Sequence, residues 1–145
     1  MKTKRTLQRW PPWILTIIVS LAILYLTLVP QPLPDDTPKL FPGADKVVHA
    51  LMFGGLTFVI LLDRQRRENY RLNGADSQNT FWQPLSKKFV WTVAAVSALA
   101  GIIIECLQWV MGLGRGFEVG DILADTIGSF VFAALWLIFQ HHWID

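Results

Sequence analysis

The hydrophobic positions of this chain are gathered into four long blocks with polar segments between them. The blocks cover residues 13–29, 47–62, 89–111 and 122–139. Within each block the apolar residues follow one another without a period-2 alternation, which favours helices over strands. A helix of about 20 apolar residues spans the roughly 30 Å hydrocarbon core of a bilayer. The pattern therefore predicts an all-α fold: a single membrane domain over residues 1–145, built as an integral bundle of four transmembrane helices.

Two of the blocks also allow a different interpretation. The second block is short and contains His49, so in isolation it would also fit a buried helix of a soluble protein. The first block follows a basic lead, as the apolar core of a signal peptide does, but it is longer than usual and no A-x-A-like cleavage site follows it. Hydrophobic residues make up 52% of the 145 residues, and four such blocks together favour a membrane protein that crosses the bilayer several times.

The basic residues are distributed unevenly between the polar segments. Ten of the 13 lysine and arginine residues lie either before the first block or between the second and the third. Cytoplasmic segments of membrane proteins carry an excess of these residues. We therefore expect both termini and the loop 63–88 to be cytoplasmic, and residues 30–45 and 112–120 to face outward. This topology implies an integral membrane protein in contact with membrane lipids, and the basic loop contains no nucleic-acid-binding motif.

Ionisable and amide side chains occur inside the apolar blocks, where they are costly. Glu105 and Gln108 are three residues apart in the third block and share one face of a helix. Asp125 lies one helical turn after Asp121 in the fourth block, and His49 lies early in the second. A charged group within a membrane span is by default a functional-site hypothesis.

Structural roles compete with a functional one at several positions. Asp45 follows Pro-Gly-Ala and Asp121 follows a glycine, and each precedes an apolar run, which is the place of a helix N-cap. Lys46 could extend its amine to the membrane interface. Glu105 could form a structural ion pair with Lys46 or with Arg115. Each of these interpretations stays open at the level of the sequence.

The predicted topology brings the polar residues to one end of the bundle, on the extracytoplasmic side. The candidates are Glu105, His49 and Asp125 for acid–base chemistry, and Asp45, Lys46, Gln108, Arg115 and Asp121 for binding a lipid headgroup or a phosphate. Arginine suits bidentate capture of phosphate. Carboxylates and an imidazole would also suit a divalent cation, although the pattern specifies neither a metal nor another cofactor. The sequence has no Ser-His-Asp spacing, phosphate-binding loop or H-E-x-x-H motif, and Cys106 is its single cysteine.

Several of these residues form a spaced pattern that resembles the VanZ-like family. The pattern consists of D-K-x-x-H at Asp45, Lys46 and His49, then Phe53, E-x-x-Q at Glu105 and Gln108, Arg115, Asp121 and Gly128. It extends over most of the chain, to about Phe132. The chain departs from the family at Asp125, where asparagine is usual, and at Phe53, where tyrosine is frequent. The additional acid argues against a purely neutral hydrogen-bonding role at position 125.

The resemblance implies a small multi-pass bacterial membrane protein, and the founding member of the family is associated with low-level resistance to the glycopeptide teicoplanin. The chain is therefore expected to act in the cell envelope and to affect teicoplanin susceptibility through the extracytoplasmic cluster. One alternative is a membrane-embedded enzyme acting on a phosphorylated lipid or cell-wall precursor. Another is a non-catalytic structural or interaction protein in which the cluster only holds the bundle together. Transport is disfavoured, because no charged residue continues the polar path to the cytoplasmic side.

Overall fold

Four α-helices make up the fold, in a computed structural model that describes residues 11–29, 41–73, 84–112 and 117–142. The helices are α1 (Ile14–Leu28), α2 (Ala44–Asn73), α3 (Lys87–Met111) and α4 (Val119–His142). Over these four ranges the chain forms no strand. The prediction of an all-α fold with four helices is confirmed.

Three of the helices are long and apolar enough to cross a membrane. The qualifying segments are Ala44–Asn69, Lys87–Met111 and Val119–His141. Helix α1 is apolar but has only 15 residues, about 22 Å at 1.5 Å per residue. Its length alone does not match the roughly 30 Å hydrocarbon core. Large apolar side chains face outward from the helices, with Leu21, Leu99 and Ile138 each more than half exposed, as a lipid-facing surface requires.

Helix α2 extends well beyond the apolar block from which it was predicted. The block ends at residue 62, but α2 continues to Asn73, so the loop predicted from residue 63 begins too early. The polar continuation is stabilised by ion pairs one helical turn apart. Nη2 of Arg64 lies 2.6 Å from Oε1 of Glu68, and Nη2 of Arg71 lies 3.2 Å from Oε2 of Glu68. Hydropathy marks where the apolar residues end, and a helix held by such pairs continues past that point.

Helix α4 packs closely against both α2 and α3. Gly128 lies against the backbone of α2, since a Cβ added there would come within 2.7 Å of the Cα atom of Ala50. Gly101 of α3 lies against the side chain of Asp125 in the same way. Small residues at such contacts are the usual means by which membrane helices approach each other. The close packing leaves the polar side chains of α4 facing α2 and α3.

Helix α1 is attached to the bundle at both of its ends. Near its start, the backbone N–H and the hydroxyl of Thr16 donate hydrogen bonds to Oδ2 of Asp63, over 2.9 and 2.8 Å. Asp63 thereby serves as a capping group from α2, because Trp13 at the N-cap forms no side-chain bond. Near its end, the amide nitrogen of Gln108 donates to the carbonyl of Thr27 over 2.8 Å. These contacts set α1 antiparallel to α2 and place its C-terminal end beside the end of α3.

Candidate functional site

Three buried ionisable residues and one partly buried aspartate, from three helices, meet at one end of the bundle. We call His49, Glu105, Asp121 and Asp125 the acid–histidine cluster. His49 comes from the start of α2, Glu105 from the last turns of α3, and the two aspartates from the start of α4. Glu105 and Asp125 are each only 1% exposed, and His49 is 7% exposed. The antiparallel order of α2, α3 and α4 produces this meeting, as the sequence predicted.

The imidazole of His49 lies between two carboxylates. Its Nδ1 atom is 3.0 Å from Oδ1 of Asp125, which is hydrogen-bonding distance. Its Nε2 atom is 3.6 Å from Oδ2 of Asp121, too far for a hydrogen bond. If Nδ1–H donates to Asp125, the carboxylate fixes the orientation of the ring and Nε2 faces Asp121. This is the arrangement by which a carboxylate prepares a histidine as a base or as a metal ligand.

A second set of contacts is centred on Lys46 and lies nearer the surface. Its Nζ atom is 2.9 Å from Asp45, 2.5 Å from Glu118 and 2.6 Å from Asp121. We call these four residues the lysine network. Gly120 makes room for it, because a Cβ at that position would lie 2.7 Å from Cε of Lys46. Asp121 belongs to both sets, with Oδ1 toward Lys46 and Oδ2 toward His49.

Two carboxylate oxygens in the acid–histidine cluster have no hydrogen-bond partner. Oε2 of Glu105 accepts the backbone N–H of Glu118 over 3.3 Å, whereas Oε1 of the same side chain is buried and unpaired. Oδ2 of Asp125 is also buried and unpaired. Leaving a buried polar atom unpaired costs about 1–3 kcal/mol, and more for a charged group. Packing of the bundle therefore leaves these two oxygens able to accept a further partner.

The predicted binding residues are only partly brought together. Asp45, Lys46 and Asp121 join in the lysine network, and both aspartates lie in the first turns of their helices. Gln108 directs its amide nitrogen to α1 instead. Arg115 lies in 113–116, outside the residues described.

Glu118 was not among the predicted site residues. Its side chain contacts Lys46 and its backbone N–H contacts Glu105. It stands three positions before Asp121, directly ahead of α4, and this spacing is the signal that could have identified it. The ion pair considered between Glu105 and Lys46 is not formed, since Lys46 contacts Asp45, Glu118 and Asp121.

The charges of the assembled site are predominantly acidic. Among the residues described, its members are Asp45, Glu105, Glu118, Asp121 and Asp125, together with the bases Lys46 and His49. Such a site attracts cations and can exchange protons between carboxylates and an imidazole. Anion binding would depend on a cation from outside the described part of the chain, for which Arg115 is the sequence candidate.

Comparison with known proteins places the chain in a family without supplying an activity. No curated protein matches the chain, and no solved structure matches it. The model of the VanZ/LLP1 family matches residues 5–140, nearly the whole chain. The matched region contains every element of the resemblance drawn from the sequence, including His49, Glu105 and Asp121. The chain is thus a member of the VanZ/LLP1 family.

Proposed function

We propose that this protein acts in the bacterial cell envelope, lowering susceptibility to the glycopeptide teicoplanin through the acid–histidine cluster. In this proposal the protein resides in the cytoplasmic membrane, α1 is a fourth span, both termini are inside, and the cluster opens to the extracytoplasmic side. The uneven distribution of the basic residues supports this orientation.

The unpaired oxygen of Glu105 is the observation that carries the proposal. A cluster that only held the helices together would be expected to pair its buried carboxylates, as Asp63 does with Thr16 at the other end of α1. Oε1 of Glu105 is instead buried and free of protein partners. An unpaired carboxylate oxygen within an apolar bundle is unfavourable for stability, which points to a role in binding or proton transfer.

Catalysis on a phosphorylated lipid or cell-wall precursor is the second candidate function. The 3.0 Å contact between Nδ1 of His49 and Asp125 favours it, because an imidazole held by a carboxylate is well placed to act as a general base through Nε2. Glu105 would supply the second acid–base group, and Arg115 would hold the phosphate. A purely structural role is favoured by the lysine network, whose contacts connect α2 to α4.

Teicoplanin susceptibility of cells that express the protein tests the proposed function. Wild type, Glu105→Gln and Arg115→Lys would be compared at matched levels in the membrane, with an empty vector as baseline. Wild type should protect, Glu105→Gln should abolish protection because it removes the charge, and Arg115→Lys should weaken it because it removes the planar fork. Arg71→Lys, at an exposed side chain distant from the cluster, is the matched control and should protect fully.

The enzymatic alternative has its own measurement. Mass spectrometry of lipid-linked precursors, extracted from cells expressing wild type or His49→Gln, would reveal a chemically altered precursor that depends on His49. A precursor pool that is identical in both cell types, together with protection by the wild type alone, would favour binding without catalysis. Full protection by both Glu105→Gln and Arg115→Lys would indicate that the cluster has a structural role only.

A further inference from the structure

We infer that the acid–histidine cluster is a binding site for one divalent metal ion of the zinc or manganese type. The ligands assigned are Nε2 of His49, a carboxylate oxygen of Glu105 and Oδ2 of Asp121. One ligand atom from each of these three residues lies within 4.8 Å of the others. The inference rests on the proposed function, because it names the ligand of the same site. Its test uses the purified protein and does not depend on the teicoplanin phenotype.

The separation between His49 and Asp121 fits two ligands of one ion. Nε2 and Oδ2 are 3.6 Å apart, which is too long for a hydrogen bond between them. Two ligands at about 2.0–2.2 Å from a tetrahedral zinc ion lie roughly 3.3–3.6 Å from each other. The observed distance is compatible with two ligands of one ion, and a ligand atom of Glu105 lies within 4.8 Å of both residues' ligand atoms.

Asp125 completes the arrangement from behind the histidine. A histidine that ligates a metal commonly donates its other ring N–H to a carboxylate, which sets the tautomer and the direction of the ligating nitrogen. The 3.0 Å contact between Nδ1 of His49 and Asp125 supplies this partner. Asp125 thus serves as a positioning residue for His49.

The unpaired oxygen of Glu105 points independently to a ligand. Oε1 lacks a partner, and the residue is 1% exposed, so neither the bundle nor bulk water satisfies it. The other oxygen is occupied by the backbone N–H of Glu118. Asp121 is similarly divided, because Lys46 occupies Oδ1 and leaves Oδ2 toward the cluster. Each carboxylate therefore keeps one oxygen for the proposed ion.

The chemistry of the ligands narrows the class of ion. One imidazole nitrogen with two carboxylate oxygens suits zinc or manganese, whereas calcium and magnesium favour ligand sets made of oxygen alone. Three protein ligands leave a zinc ion with an open position for water or a substrate oxygen. When bound, such an ion would polarise a phosphate or carbonyl group or activate water.

Metal binding by the purified full-length protein tests the inference. Protein in detergent would be stripped with a chelator and dialysed against Zn²⁺ or Mn²⁺, and bound metal would be measured by inductively coupled plasma mass spectrometry. All variants, and the protein used as wild type, carry Cys106→Ser, because the exposed thiol of Cys106 could itself bind zinc. We expect about one bound ion per chain and a loss of at least tenfold in affinity in Glu105→Gln and His49→Gln. Asp63→Asn, a buried carboxylate at the opposite end, should bind like the wild type.

A wild-type protein that binds neither ion would overturn the inference, as would Glu105→Gln binding as tightly as the wild type. If Glu105→Gln does not fold, Glu105→Asp keeps the charge and shortens the ligand, and its affinity should fall measurably. The cobalt form of the wild type gives a second measurement, since the intensity of its visible absorption reports the coordination number of the bound ion; a spectrum identical to that of free Co²⁺ would contradict binding in the cluster. If the purified wild type binds the metal but its expression does not change teicoplanin susceptibility, the proposed function is contradicted and the metal site is not.

Discussion

Nδ1 of His49 lies 3.0 Å from Oδ1 of Asp125, joining the first turns of α2 to α4 across 76 positions of the chain. Neither residue has a local reason to be buried in an apolar block. Together they orient an imidazole whose other nitrogen faces Asp121. The pair therefore connects the packing of α2 on α4 to the geometry of the site.

Asp125→Asn tests the positioning role of this pair. The amide oxygen of asparagine can still accept the hydrogen bond from Nδ1–H, so we expect the protein to fold and His49 to stay in place. The negative charge behind the ring is lost, and zinc affinity should fall about 10–100-fold. Equilibrium dialysis against Zn²⁺ measures it, and an unchanged affinity would show that Asp125 acts through packing alone.

Gly101→Ala should disturb the site through contact with Asp125. An added Cβ would lie 2.6 Å from Oδ2 of Asp125, so that side chain must move or the helices must separate. Overpacking of this kind costs about 1–3 kcal/mol, and we expect a lower midpoint of thermal unfolding together with weaker metal binding. Gly55→Ala is the matched control, because a Cβ on Gly55 meets nothing within 4 Å. Equal behaviour of the two variants would contradict the close packing described for α3 and α4.

Asp63→Leu should loosen α1 without acting on the site. The substitution removes the acceptor for the backbone N–H and hydroxyl of Thr16 in a partly buried contact, and the loss of such a hydrogen bond costs about 0.5–1.5 kcal/mol. We expect reduced stability in denaturant titrations and faster proteolysis near α1. Arg71→Gln, on the same helix, removes only the exposed contact with Glu68, worth about 0.3–0.5 kcal/mol, and should leave both readouts near the wild-type values. A stability loss as large in Arg71→Gln would mean that the Asp63 contact is not what holds α1.

Gln108→Leu separates structure from function at the same end of the bundle as the site. The amide of Gln108 donates to the carbonyl of Thr27, so its loss should lower the thermal stability. Zinc affinity should change less than threefold, because the amide contributes no ligand. A tenfold loss of affinity in a folded Gln108→Leu protein would instead return Gln108 to the binding site, the role assigned to it from the sequence.

Much of this fold follows from the distribution of apolar residues, and the remainder depends on contacts between helices. The four blocks predicted four helices because each is a long, continuous apolar run without the alternation of a strand. The family resemblance was detectable because its residues occur at characteristic spacings. The extension of α2 to Asn73 was missed because pairs such as Arg64 with Glu68 stabilise helix without adding hydropathy.

The meeting of polar side chains at one end of the bundle was predictable, but their individual contacts were not. Antiparallel helices had to bring His49, Glu105 and Asp125 to one end, and helical periodicity set the face shared by Asp121 and Asp125. The sequence does not determine side-chain direction, so the contact of Gln108 with α1 and the participation of Glu118 could not be derived.

The most direct test of a working acid–histidine cluster compares two buried carboxylates at opposite ends of the bundle. Glu105→Gln and Asp63→Asn each remove one carboxylate from a residue that is at most 5% exposed. Teicoplanin susceptibility would be measured for cells carrying each variant at equal membrane levels. We predict that Asp63→Asn protects like the wild type and that Glu105→Gln does not protect. Equal protection by the two variants would contradict a functional role for the cluster.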